Sequence, residues 1–150
     1  MERPYIICHM LTSLDGKVVG DYLKTERADL FSDEYAKIHE RYGYNAWICG
    51  RITMEEHFTF GHQLDLKEDN IPMISRTDYI ANKDAKSYAV AVDPSGKLGW
   101  TENSIAPWNE DRTEDHIVEV LTEQVSDAYL AHLKNWSLLT HVYFFVDSVY

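Results

Sequence analysis

The feature that most limits how this chain can fold is a succession of six short apolar runs: Tyr5–Met10, Ala46–Cys49, Ile71–Ile74, Ser87–Val92, His116–Leu121 and Val142–Val146. Runs of that length suit strands, and most stop at turn or helix-start residues, such as Ser75-Arg76-Thr77 or Asp93-Pro94-Ser95-Gly96. Helical patterns lie between them. Ser32 is placed to cap a helix whose first turn holds Asp33 and Glu34 and whose end carries Arg41 and Gly43. Tyr35, Ile38 and Tyr42 share one face of that helix. Ala46–Cys49 runs through Gly50 into helix-start residues, and Ser126 can cap a helix with Tyr129, Leu130 and Leu133 on its apolar side. Alternating strands and helices predict an α/β fold with a largely parallel sheet, because parallel neighbours need crossover connections.

With 150 residues, 45% of them hydrophobic, the chain has the size and apolar content of a single globular domain. No repeat or interdomain linker interrupts it. Residues 101–115 are polar and acidic and read as a long surface loop, with Trp100 and Trp108 either packing it down or covering a ligand. The N-terminus, Met1-Glu2-Arg3-Pro4, is charged, and the run after it is broken at His9, so neither a signal segment nor a spanning helix is expected and the expected location is cytoplasmic. Cys8 and Cys49 sit in apolar runs and form no C-x-x-C pair, which predicts buried reduced thiols. A net charge of −11 argues against nonspecific binding to nucleic acid or anionic membrane. A small anionic ligand needs only a few local donors and stays open.

Three segments can carry chemistry. In Gly50-Arg51-Ile52-Thr53-Met54-Glu55, glycine permits close approach to the backbone, the helix start offers free N–H groups, and Arg51 adds a fork-shaped phosphate donor. The same stretch also fits a ligand-free capping box between Thr53 and Glu56. Ser75-Arg76-Thr77 stands at the end of a predicted strand, where a hydroxyl and a guanidinium can grip a ribose phosphate, or simply form a turn. In Ser13-Leu14-Asp15-Gly16-Lys17, Asp15 can orient a polar substrate or assist proton transfer while Gly16 turns the loop over a bound ring; an ordinary Asp-Gly turn reads the same way.

Taken together and in order, these segments resemble the dihydrofolate-reductase-like, NADPH-dependent reductase domain of bifunctional riboflavin-biosynthesis deaminase-reductases. Arg3-Pro4-Tyr5-Ile6-Ile7 leading to Ser13–Lys17 looks like that domain's opening strand and loop, and Gly50–Glu55 is similar to the G-R-x-T-x-E stretch of dihydrofolate reductases. Asp93–Leu98 and His116–Thr122 are similar to further segments, so the resemblance covers most of residues 3–135. It implies a mixed, largely parallel central sheet flanked by helices, NADPH as hydride donor, and a ribosylamino-pyrimidine-like or pterin-like substrate. Arg51 and Thr53, on the helix opened at Gly50, would face the cofactor phosphates, with Ser75 and Arg76 at the adenosine end. The loop of Ser13, Gly16 and Lys17 would lie toward nicotinamide and substrate, with Asp15 the candidate for proton assistance.

The sequence departs from the family at its C-terminal side. Members continue into a glycine-rich G-G turn that cradles the pyrophosphate, whereas this chain has no G-G pair and runs from Asn135 through an aromatic tail to Tyr150. The expectation is therefore a single reductase-like domain without that segment, weak in cofactor binding and turnover. Its apolar tail, Val142–Val146, should pair as a strand within the chain or across a homodimer. The alternative reading is a non-catalytic nucleotide-binding or interaction domain. The companion zinc deaminase is excluded, because neither H-x-E nor P-C-x-x-C occurs, and the zincin helix that His39-Glu40 could begin has Gly43 where its second histidine belongs.

Overall fold

Residues 3–66, 71–79, 81–105, 115–136 and 139–142 are described by a computed structural model in which the chain divides into two units, Met1–Tyr44 and Asn45–Tyr150. In the first unit the run Tyr5–Met10 is not a strand, contrary to expectation. A strand must pair its N–H and C=O groups along a neighbour, and no other strand is described in this unit. Tyr5 is 91% exposed, Ile6 80%, and Cys8 is exposed rather than buried. Helix α1 (Ala28–Arg41) begins four residues before Ser32, because Ala28-Asp29-Leu30-Phe31 extends the helical stretch toward the N-terminus. Ser32 lies inside the helix, and Arg27 holds the cap position without a side-chain bond. The other end is as expected: the helix stops at Arg41, and Gly43 turns left-handed at φ +55°, its N–H donating to the Glu40 carbonyl at 3.3 Å. The His9 ring stacks on Tyr35 at 4.1 Å between centroids.

The second unit is built on a four-stranded sheet: β1 (Ala46–Gly50), β2 (Ser87–Val92), β3 (Asp115–Leu121) and β4 (Leu139–Val142), side by side in sequence order and all parallel. Three of the six apolar runs, those at 46–49, 87–92 and 116–121, thus form strands with nearly the expected bounds. The fold is α/β. The one antiparallel pairing described is an isolated bridge between Ser104 and His116. Register sets which residues face inward: Trp47, Ala89 and Ile117 pair across the sheet, as do Cys49, Ala91 and Glu119. Since side chains alternate, all six share one face. That face is covered by α3 (Asp127–Asn135) through Tyr129, Leu130 and Leu133, and by Leu98, Trp100 and Ile105. At the other end of the strands, Trp47 Nε1 donates to Asp115 Oδ2 at 2.6 Å and the Ser87 hydroxyl donates to Oδ1, so a buried carboxylate ties three strands together.

The predicted strand Ile71–Ile74 does not form. The Ile74 N–H instead donates to Asp127 Oδ1 at 3.1 Å, a carboxylate where a strand would need a neighbouring carbonyl. Ser126 caps α3 as expected, its hydroxyl accepting from the Tyr129 N–H at 3.2 Å. Trp100 is fully buried, which settles its role as packing. Trp108 and residues 143–146 of the predicted last strand lie outside the described residues. Among the described residues no helix is long and apolar enough to cross a membrane.

Candidate functional site at the carboxyl ends of the strands

Strand β1 runs into helix without a loop. Gly50 is both the last residue of β1, paired with Val92, and the cap of α2 (Arg51–Met54), which widens into a π-type turn over Glu55–Thr59. Because the strand ladder delivers Gly50 to the cap position, Thr53 falls inside the first turn and the Thr53–Glu56 capping box does not form. Gly50 has no side chain to cap the first-turn N–H groups, and among the described residues no other side chain accepts from them. A Cβ added at Gly50 would meet nothing within 4 Å, so the backbone there is open to approach. Arg51 stands beside it, paired with Glu55 one turn on, with both side chains about one-third exposed. Thr53 is exposed. A phosphate at these groups would have to displace Glu55 from Arg51.

Arg76 is otherwise engaged. Its NH1 group donates to the Ile74 carbonyl at 2.8 Å and pairs with Asp127, and its NH2 group donates to the Val125 carbonyl at 3.0 Å. These bonds clamp the 74–76 segment to the start of α3. Arg76 and the Ile74 N–H hold the Asp127 carboxyl below the usual carboxylate range. The Ser75 hydroxyl donates to Thr77 Oγ1 at 3.5 Å, its one hydrogen bond among the described residues. Among the described residues no hydrogen bond or ion pair joins Ser75 or Arg76 to Gly50 or Arg51. A 2′-phosphate at Arg76 would have to compete with Asp127.

Ser13, Asp15, Gly16 and Lys17 belong to the first unit, where they form a tight turn. The Gly16 N–H donates to the Ser13 carbonyl and the Ser13 N–H to the Lys17 carbonyl, both at 2.9 Å, with Gly16 at φ +80°. Asp15 pairs with Lys17 at 2.8 Å in solvent. Lys17, and after it Ser13, hold the Asp15 carboxyl below its ordinary range, so it is ionised at neutral pH. Elsewhere in this unit His9, Met10, Leu11, Val18, Ser32 and Tyr35 line a shallow groove of about 260 Å³.

A group that the motif reading passed over lies inside the second unit. Asp93, just past β2, and Glu119, in β3, are both fully buried. Asp93 Oδ2 accepts from the backbone N–H groups of Lys97, and of Leu98 at 2.8 Å, closing the turn that was read from Asp93-Pro94-Ser95-Gly96. Tyr129 OH lies 2.7 Å from Glu119 Oε1 and 2.8 Å from the Leu98 carbonyl. Burial pushes the Glu119 carboxyl well up, and burial together with Glu119 does the same to the Tyr129 phenol. The signal was present in Ile117-Val118-Glu119-Val120-Leu121, where period-two alternation puts a carboxyl between two inward-facing apolar side chains.

Among the described residues no group of three or more His, Cys, Asp or Glu side chains could hold a metal ion. In comparisons with known proteins, no family model, no curated protein and no solved structure matches this chain.

Proposed function

We propose that this chain is a dihydrofolate-reductase-like domain that holds NADPH by its phosphates at the Gly50–Arg51 junction and reduces a small ribosylamino-pyrimidine-like or pterin-like molecule. The observation that carries the reading is the junction itself: a parallel strand ending on an open glycine, an uncapped first turn, and a half-buried arginine. Ligands of open α/β sheets gather outside the carboxyl ends of the strands, and a helix start there favours an anion. NADPH would supply the hydride, leaving the protein to hold and orient it and to exclude water. Arg51 then serves as a switchable donor, trading Glu55 for a phosphate oxygen.

A second reading, a non-catalytic nucleotide-binding domain that self-associates, is favoured by two observations. Asp15 is held ionised by Lys17 and Ser13, which suits a proton acceptor and not a donor. Arg76 is occupied by Asp127 and two carbonyls.

Titration calorimetry with NADPH and NADH on the parent, Arg51→Ala and Arg76→Ala proteins, with NADPH-oxidation assays on pyrimidine and pterin substrates, separates the readings. Arg51→Ala should weaken NADPH by about 1.5–3 kcal/mol, as expected for a charged hydrogen bond lost. Equal binding by variant and parent removes the phosphate assignment. Arg76→Ala narrows the preference for NADPH over NADH if the guanidinium leaves Asp127 for the 2′-phosphate, and an unchanged preference leaves Arg76 as a clamp alone. Binding without turnover, together with a dimer mass in solution, selects the second reading.

A further inference from the structure

The interior of the second unit holds a carboxyl pair that the proposed cofactor site does not use. Asp93 extends β2 beyond Val92, its N–H donating to the Val120 carbonyl at 3.1 Å, so it continues the parallel register. It therefore shares a sheet face with Ala91, and Ala91 is the register partner of Glu119. The two carboxyls stand on adjacent strands, on the same inward face, with no exposure to solvent.

Each has one oxygen accounted for. Asp93 Oδ2 accepts two backbone N–H bonds, and Glu119 Oε1 lies within hydrogen-bond reach of Tyr129 OH. The other oxygen of each, Asp93 Oδ1 and Glu119 Oε2, is buried and has no hydrogen-bond partner among the described residues. Two unpaired carboxylate oxygens on one buried face, both ionised, would repel and leave two desolvated charges. A single proton between them removes one charge and satisfies both oxygens. Among the described residues of the neighbouring elements no cation substitutes for that proton: Lys97 is exposed, and His132 of α3 faces the Trp100 carbonyl at 2.7 Å. Tyr129 of α3 and the Trp100 indole are the other groups that bear on Glu119, together with Asp93 itself. β2 presents Ala91, and β4 places Thr140 in register.

We propose that Asp93 and Glu119 share one proton in the folded protein, a buried acid–carboxylate hydrogen bond that makes folding of the second unit depend on pH. Glu119 carries the proton and donates to Asp93, whose other oxygen accepts from the Lys97 and Leu98 N–H groups. Burial raises the Glu119 carboxyl above its unfolded value, so the folded state binds one proton more than the unfolded state across the interval between the two. The contribution is therefore complete below the ordinary glutamate range and is lost as pH rises through the folded-state value.

The test is denaturant unfolding of the full chain at a series of pH values above the ordinary glutamate range, for the parent and Glu119→Gln, with infrared spectra of both. In the parent the folding equilibrium constant should fall by up to about tenfold per pH unit over that interval. In Glu119→Gln, whose amide donates to Asp93 without titrating, the slope should vanish. The parent should also show the C=O stretch of a protonated carboxylic acid at neutral pH, and Glu119→Gln should lack it. Equal slopes in the two proteins overturn the proposal. If Glu119→Gln does not fold, the parent spectrum decides alone, and absence of the protonated-acid band at neutral pH overturns the proposal equally.

Discussion

The two units of this chain start from similar apolar content and end differently. In Met1–Tyr44 none of the described residues is buried, and Leu30 and Phe31 on α1 are largely exposed. In Asn45–Tyr150 a cluster of fully buried side chains, Trp100, Ile117, Leu121 and Leu133 among them, fills one face of the sheet. Tyr5–Met10 is as apolar as Ser87–Val92, yet only the second has strands on both sides. An apolar run is a request for burial; pairing partners decide whether a strand answers it.

Matched substitutions in the two units break or sharpen this contrast. The largest effect is expected from truncation of an aromatic side chain. Trp100→Ala should cost about 3–5 kcal/mol in denaturant unfolding, whereas Phe31→Ala should stay within about 0.5 kcal/mol. A comparable loss from Phe31→Ala would show that the first unit has a packed core after all.

A smaller effect comes from two glycines with nearly the same backbone. Gly43 and Gly96 have φ of +55° and +64°. A Cβ at Gly43 meets nothing within 4 Å, while one at Gly96 would lie 2.5 Å from Tyr129 Cδ1 and 2.7 Å from Val125 Cγ2. Gly43→Ala should therefore show only the left-handed penalty of about 1–2 kcal/mol, and Gly96→Ala that penalty plus about 1–3 kcal/mol of overpacking. Equal costs, measured by thermal and denaturant unfolding, would mean that α3 moves aside freely.

The smallest effect separates the two helix starts. Ser126→Ala removes the hydroxyl that caps α3 and should cost about 1 kcal/mol. Arg27→Ala at the start of α1 removes no cap bond and should cost a few tenths at most. Amide exchange in the first turn of each helix checks the pair: protection should fall in α3 alone.

The sequence by itself determined what depends on neighbours along the chain. The stop at Gly43, the Ser126 cap, the turn after Asp93 and the passage from β1 through Gly50 into helix were all legible, because side-chain chemistry within a few residues settles them. Tertiary structure decided the rest. Whether Tyr5–Met10 and Ile71–Ile74 became strands depended on partners that no local pattern specifies, and in the second case Asp127 took the N–H of Ile74 instead. Arg76, a candidate phosphate donor or turn residue by sequence, was claimed by a carboxylate 51 residues away. The placing of Asp93 and Glu119 on one inward face of adjacent strands is the same kind of fact: alternation fixes which residues share a face, and only the register of two strands fixes which neighbours they meet.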